Sequence, residues 1–277
     1  MKKCTVKITA AVLLLSVIAA SFCGCSLTAY TVEELRALYP QAIENSLAEP
    51  LYYWKETVNA ADASRYTTCN VYAELDDNYE PARTDDGGFV NMEIEVSRTE
   101  NSQNTYHLVG GRSESSAGGE AANWVFENGY NASGEVANRK KTAVSVEEYV
   151  QSDSFKNTFS LAAVLQEFSY LTVDDMDFTV EDAGLTHKGH VMECSFAVKD
   201  SYLQRYEEQF GKPSVFAGSK YAALELSYDR FSSVVIYTEE QLGGGITSDE
   251  ETYKLEVSYL GPRITVPSYD SDEWKNV

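Results

Sequence analysis

The sequence predicts an α+β domain in which one long antiparallel sheet is combined with a few helices. The strand signal is clearest over residues 89–97, where Val90, Met92, Ile94 and Val96 alternate with polar residues. This alternation gives a strand with one buried face and one hydrated face, as in an antiparallel sheet. Period-two segments recur on both sides of a central helical segment, and strands rarely alternate one-for-one with helices. That order argues against the repeated βαβ units of α/β solute-binding proteins.

Two capping boxes predict where helices begin. Thr31 stands three residues before Glu34, and Ser145 stands three residues before Glu148. In each pair the hydroxyl accepts from the amide of the glutamate, whose carboxylate reaches back to the cap. The first box predicts an N-terminal helix that Pro40 breaks or restarts.

Two further helices are predicted from apolar spacing and from stop signals. Residues 159–168 place Leu161, Val164 and Leu165 on one side, which is typical of an amphipathic helix packed on a core. Residues 200–210 form another predicted helix, stopped by the glycine at 211.

The first 24 residues have the features of an export signal. A basic start with three lysines is followed by an apolar run over residues 10–20, and then by Gly24-Cys25. The ending resembles the lipobox of bacterial lipoproteins. This resemblance implies cleavage before Cys25, acylation of Cys25 with chains such as palmitate, and a membrane-anchored protein on the extracytoplasmic face. The alternative is cleavage after Ser21 and a soluble secreted protein.

The chain therefore divides into a signal peptide (1–24), a short tether (25–30), one α+β domain (31–269) and a polar tail (270–277). The 253 mature residues contain 19 basic and 43 acidic side chains, a net charge of −24. Such an acidic surface argues against nucleic-acid binding, which needs a basic face. Because anionic lipid headgroups repel it as well, membrane attachment is expected to depend on the acylated cysteine.

The order of elements is similar to that of LolA/LppX-like envelope lipoproteins: a leading helix, a long antiparallel sheet, a helical insertion and further hairpins. This resemblance implies a half-barrel, in which a curved sheet wraps over one or two helices around a space for a lipid or another amphiphile. The side chains expected to line that space, or else to fill it as core, are Val90, Met92, Ile94, Val96, Leu161, Val164 and Leu165.

Two other classes of function remain as alternatives. An envelope interaction or structural module would need no pocket, and its mark would be an exposed apolar or tyrosine-rich patch. An uncharacterised envelope enzyme is the third hypothesis, although the chain has no Gly-x-Ser-x-Gly elbow and no phosphate-binding glycine loop. We therefore predict no catalytic residues and no cofactor.

No metal site is predicted. His187 and His190, with Glu193 beyond, are the only closely spaced histidines. A zinc site needs further ligands, and Lys188 adds a positive charge between the two histidines, so they are expected to be solvated turn residues.

Cys69 and Cys194 both lie on apolar strand faces. An exported protein can form a disulfide between them. The alternative is two buried free thiols that pack as small apolar side chains.

Overall fold

A large, open and curved antiparallel sheet dominates the structure, and this confirms the predicted α+β half-barrel. The computed structural model describes residues 30–58, 65–85, 87–112, 123–241, 247–266 and 275–276. About 45% of the described residues are in strands and about 25% are in helices. The predicted signal peptide and Cys25 lie outside the described residues.

Over the described ranges the sheet has thirteen strands. Twelve of them lie in the order β13-β6-β5-β4-β3-β2-β1-β12-β11-β10-β9-β7, and the thirteenth, β8, pairs with β9. Their bounds are β1 Tyr52–Val58, β2 Arg65–Tyr72, β3 Glu93–Glu100, β4 Gln103–Arg112, β5 Asn123–Tyr130, β6 Val136–Ala143, β7 Met176–Asp177, β8 Gly184–Lys188, β9 Val191–Val198, β10 Tyr221–Ser227, β11 Arg230–Gln241, β12 Thr247–Ser258 and β13 Lys275–Asn276.

Six α-helices and one 3₁₀ turn accompany the described part of the sheet. They are α1 Val32–Ala48, α2 Val146–Gln151, α3 Asp153–Thr158, α4 Leu161–Val164, α5 Gln166–Tyr170, the 3₁₀ turn Val173–Asp175 and α6 Asp200–Phe210. None of these helices combines the length and the apolar character needed to cross a bilayer.

The sheet consists of two meanders. From the middle of the sheet, strands β1 to β6 lie side by side in chain order toward one edge. Strands β12, β11, β10 and β9 lie side by side toward the other edge. The antiparallel pair β1–β12 joins the two halves. At the far edge β13, in the segment predicted as a polar tail, pairs in parallel with β6.

The antiparallel register gives the sheet two distinct ends. End A is where β1 begins, and it carries the turns at Gly189–His190 and Tyr228–Asp229. End B is where β1 stops, and it carries the turn at Asn101–Ser102. Asn101 and Ser102 have φ of +50° and +61°. Such a two-residue turn with positive φ matches the twist of the strands.

Helices cover the concave face of the sheet. Phe155, Leu161, Leu165 and Phe168 from the central helical segment are each at most 3% exposed and belong to one core with the inward side chains of the strands. Burial of each contributes roughly 1.5–3 kcal/mol. This segment therefore supplies much of the apolar cover that a one-sided sheet needs.

A glycine on β4 allows α2 to approach the sheet closely. A Cβ placed on Gly110 would lie 2.7 Å from Ile94 Cγ2 and 3.2 Å from Val146 Cγ2. The missing side chain therefore leaves room for Val146, which is fully buried at the start of α2.

Two helix predictions need correction. Helix α1 runs without a break through Pro40, because that residue lies on the exposed side while Leu35, Tyr39 and Ile43 anchor the buried side. The predicted helix over residues 159–168 is split at Leu165 into α4 and α5, since Leu165 has a ψ of 2°. Tertiary packing of the same apolar residues overrides the local propensity in both cases.

Ser46 ties α1 to the C-terminal meander. Its buried hydroxyl donates to the Ala42 carbonyl at 2.7 Å and accepts from the Phe231 amide at 2.9 Å and from the Tyr259 hydroxyl at 2.6 Å. One side chain thus joins a helix to β11 and to the residue that follows β12, which lie 185 and 213 positions later in the chain.

We predict that Ser46→Ala lowers the free energy of unfolding by about 1–3 kcal/mol, because the buried Phe231 amide loses its acceptor. Chemical denaturation of the two proteins measures this difference. Ser169→Ala is the matched control, since the Ser169 hydroxyl donates a hydrogen bond to the Leu165 carbonyl four residues earlier in the chain. Equal losses in both variants would contradict a role for Ser46 between elements.

Candidate functional site

Three inward side chains of β1 divide the space between sheet and helices. Tyr52, Trp54 and Glu56 follow one another on the concave face, from end A to end B. Trp54 is 2% exposed, and its indole N–H donates to the Phe159 carbonyl at 3.0 Å. Trp54 and the chain around Phe159 therefore form a wall across the half-barrel, with one cavity on each side.

The cavity toward end A, which we call the apolar cavity, has a volume of about 400 Å³. Most of its lining is aliphatic or aromatic, and it opens between the end of α1, the start of β1 and helix α2. Its apolar lining residues are Leu47, Pro50, Tyr52, Val71, Phe89, Met92, Val150, Phe155, Leu161 and Ala162.

The cavity toward end B, which we call the polar cleft, has a volume of about 490 Å³. It lies between β1–β3 and the segment that runs from α3 to α5, and the loop after α6 closes one side. Its polar lining residues are Glu56, Thr67, Arg98, Lys156, Asn157, Thr158, Gln166, Glu167, Tyr206, Lys212 and Tyr253.

The seven residues predicted to line one space are not brought together around one cavity. Met92 and Leu161 line the apolar cavity, and Val164 lines the polar cleft. The other four lie elsewhere: Ile94, Val96 and Leu165 are fully buried in the core, and Val90 is half-buried in a turn before β3.

Sequence reasoning missed the charged residues of the polar cleft, although a signal was present. Arg98 continues the alternation of the buried residues Ile94 and Val96, so it occupies an inward position of β3. Glu56 follows Tyr52 and Trp54 on β1 in the same way. A charge that continues an apolar alternation indicates a charged group on the inward face, at the point where that face becomes accessible to water.

One row of cross-strand neighbours forms the sheet side of the polar cleft. Glu56 on β1 faces Thr67 on β2, and Thr67 faces Arg98 on β3. The Tyr253 hydroxyl from β12 donates to Glu56 Oε1 at 3.0 Å. Burial, and then the Glu56 carboxylate, raise the pKa of Tyr253, so this hydroxyl remains a donor at neutral pH.

Glu167 on α5 holds the opposite wall in place. Its carboxylate accepts from the Ser214 hydroxyl and from the Val215 amide at 3.1 Å, and only 7% of the residue is exposed. Burial raises the pKa of Glu167, and the bonds from Ser214 and Val215 offset that rise only in part. The carboxylate thus fastens the loop that carries Lys212 to the helical segment.

Three basic side chains line the polar cleft without a carboxylate partner. Arg98, Lys156 and Lys212 are exposed, and none forms an ion pair within 4.0 Å in the part of the chain that the structure describes. Lys212 still favours the charged form of Glu167 through its positive charge.

Cys69 and Cys194 are free, buried thiols, so the alternative of a disulfide between them is wrong. Five strand spacings of about 4.8 Å each separate β2 from β9 along the sheet. Burial raises the pKa of Cys194 to about 12 and raises the pKa of Cys69 well above its ordinary value, which keeps both thiols protonated.

The two histidines of the predicted β8–β9 turn lie in separate aromatic contacts. His187 is on strand β8 and contacts the ring of Tyr30, with centroids 4.8 Å apart, while His190 stacks on Tyr228 at 4.6 Å. Over the described ranges, no three His, Cys, Asp or Glu side chains are grouped as ligands for a metal ion.

No protein-family model matches this chain, and no curated protein matches its sequence.

We predict that Glu167→Gln changes how stability depends on pH. Because the folded state raises the pKa of Glu167 above its ordinary value of 4.5, the folded state binds this proton more tightly than the unfolded chain does. The tighter binding of this proton adds to the free energy of unfolding. The added stability is fully present at pH values below the ordinary pKa and is lost as the pH rises through the higher pKa of the folded state. The stability of the wild type relative to Glu167→Gln should therefore fall with rising pH.

Urea denaturation of both proteins from acidic to neutral pH measures this trend. Glu208→Gln, on the exposed side of α6, makes the same charge change in solvent and controls for the loss of one negative charge. A stability difference between the wild type and Glu167→Gln that stays constant with pH would contradict the expectation.

Proposed function

We propose that this protein is a lipid-anchored lipoprotein on the extracytoplasmic face of the cell membrane, and that it binds a lipid or another amphiphile in the apolar cavity. The observation that carries this proposal is the position of the cavity. The apolar cavity opens at end A, and the first described residue, Tyr30, lies near the same end of the sheet.

The start of the described chain is close to end A. Tyr30 contacts His187, which lies two residues before the Gly189–His190 turn. Five residue steps separate Tyr30 from Cys25, and they span at most about 18 Å. If Cys25 carries acyl chains in the membrane, end A must lie near the lipid surface, and the apolar cavity must open toward it.

Exposed apolar side chains at end A support the same orientation. Tyr79 is 81% exposed, Leu260 67% and Tyr228 64%. Tyr79 and Tyr228 also have φ of +64° and +49°, a conformation that costs a residue with a Cβ about 1–2 kcal/mol. Tyrosine suits a membrane interface, where its ring meets lipid and its hydroxyl meets water.

The same exposed side chains also fit the alternative of an envelope interaction module, for which an exposed tyrosine-bearing patch is the expected mark. The two proposals differ in the apolar cavity, which only a carrier of an amphiphile needs.

We predict that Cys25→Ser abolishes incorporation of a fatty-acid analogue in growing cells, because acylation requires the thiol. The protein should then be released or be held only by an uncleaved signal peptide. Metabolic labelling followed by gel analysis provides the measurement.

Cys23→Ser is the matched control for this experiment, because it leaves Gly24-Cys25 intact and should keep the label. Loss of the label in Cys23→Ser with retention in Cys25→Ser would move the cleavage site two residues earlier. Label in both variants would contradict the lipoprotein proposal.

We predict that Val150→Trp weakens binding of cis-parinaric acid, a fluorescent fatty acid, by about tenfold or more. Val150 is half-buried and lines only the apolar cavity, so the larger ring fills space that the ligand needs. Fluorescence titration of a soluble form that begins at Ser26 measures the affinity.

Ala163→Trp is the matched control, because Ala163 is half-buried and lines only the polar cleft. It should leave the affinity for cis-parinaric acid unchanged. Equal losses in the two variants, or no saturable binding by the wild type, would contradict an amphiphile site in the apolar cavity.

A further inference from the structure

The polar cleft at end B is chemically unlike the apolar cavity and faces the other way. Charged and hydroxyl-bearing side chains from the sheet, from helices α3 to α6 and from the loop after α6 border a space of about 490 Å³. That volume is in the range of small-molecule sites. A lipid chain would gain little there, since most of the lining is polar.

The charge of the cleft is opposite to that of the protein. Acidic residues outnumber basic ones by 43 to 22. Outside the cleft, Lys55, Arg83, Lys188, Lys199 and Arg263 also have no ion pair within 4.0 Å among the described residues. Seven basic residues elsewhere in the described chain do form such ion pairs: Arg36, Arg65, Lys140, Arg205, Lys220, Arg230 and Lys254. Arg98, Lys156 and Lys212 border one space with no such partner, and a bound anion would relieve their mutual repulsion.

Glu56 and Glu167 restrict what kind of anion fits. Glu167 is saturated by Ser214 and Val215, so its oxygens offer little to a ligand. Glu56 accepts one bond, from Tyr253, and has further lone pairs that face the cleft. A carboxylate only accepts hydrogen bonds, so the ligand must present donors such as hydroxyl groups to Glu56.

Aromatic side chains complete the lining. Trp54, Phe159 and Tyr253 border the cleft beside the polar groups. Trp54 and Tyr253 are buried, at 2% and 7% exposed, whereas Phe159 is half-buried. The partly negative face of the Phe159 ring can attract the C–H groups of a polyhydroxylated ring. The ligand thus needs an anionic group, several hydroxyls and a body with C–H faces.

We propose that the polar cleft is a second binding site, specific for a small polyhydroxylated anion such as a sugar acid or a sugar phosphate. Arg98 and Lys212 bind the anionic group, Glu56 accepts hydroxyls of the sugar, and Lys156 adds positive charge at the rim. Trp54 and Phe159 form the wall between this site and the apolar cavity, and Lys156 and Ala162 border both spaces.

Isothermal titration calorimetry of the soluble form that begins at Ser26 tests this proposal, with glucuronate and glucose 6-phosphate as probes. We expect saturable binding of at least one of them, and at least about tenfold weaker binding of glucose and of inorganic phosphate. Affinity should fall with added salt, because the anionic group is bound electrostatically.

Variants locate the site. The double variant Arg98→Ala/Lys212→Ala should weaken binding of the sugar anion by about tenfold or more. Lys188→Ala removes an exposed positive charge at end A and should have no effect. Glu56→Gln should weaken the binding of the sugar anion and of glucose, but it should not change the binding of phosphate. Ala163→Trp should abolish binding, whereas Val150→Trp should preserve it, the reverse of the pattern expected for cis-parinaric acid.

Three results would overturn the proposal. The first is no saturable binding of either sugar anion up to about 10 mM, a Kd range too weak for a built site. The second is binding that Arg98→Ala/Lys212→Ala leaves unchanged. The third is inorganic phosphate bound as tightly as glucose 6-phosphate, which would make the cleft a plain anion site without sugar recognition.

Discussion

The pairing of β1 with β12 is the constraint on which the rest of the structure depends. Six residue pairs, from Tyr53 with Ser258 to Val58 with Tyr253, join the two meanders into one sheet. Without this seam each meander would keep an open edge, which invites pairing with other chains. The seam also places β1 in the middle of the sheet, so that its inward side chains Tyr52, Trp54 and Glu56 lie beneath the covering helices. The apolar cavity, the wall and the polar cleft follow from these three consecutive inward positions.

The two ends of the sheet combine different chemistry with one core. End A presents tyrosine and leucine side chains and an apolar cavity beside the start of the described chain. End B presents unpaired basic side chains and a cleft lined by polar groups. In the wall between them, Trp54 is buried and its indole N–H donates to the Phe159 carbonyl. An arrangement of this kind allows a protein held at a membrane by end A to meet water-soluble molecules at end B, with each site keeping its own selectivity.

Local signals predicted local features well. Both capping boxes form, and α6 spans residues 200–210 as expected, because the side chains that decide these boundaries lie within three or four residues of one another. The alternation around residues 89–97 marked the buried face correctly, yet β3 starts only at Glu93. Val90 instead belongs to a turn in which its amide donates to the Ala82 carbonyl. The predictions of a break at Pro40 and of a continuous helix through Leu165 were wrong. In both places, contacts made elsewhere in the fold outweighed the local signal, a helix breaker at Pro40 and a helix former at Leu165.

Period-two alternation and helix caps act between near neighbours, so they predicted the fold class and most of the apolar side chains that face inward. A short segment read in order also yielded the prediction of an exported, acylated chain. The division of the interior into two cavities of different chemistry could not be predicted in this way. The contacts responsible join positions far apart in the chain: Trp54 with Phe159 across 105 residues, and Glu56 with Tyr253 across 197. Such contacts depend on the long-range strand register, and no local pattern encodes which inward charge will meet which partner.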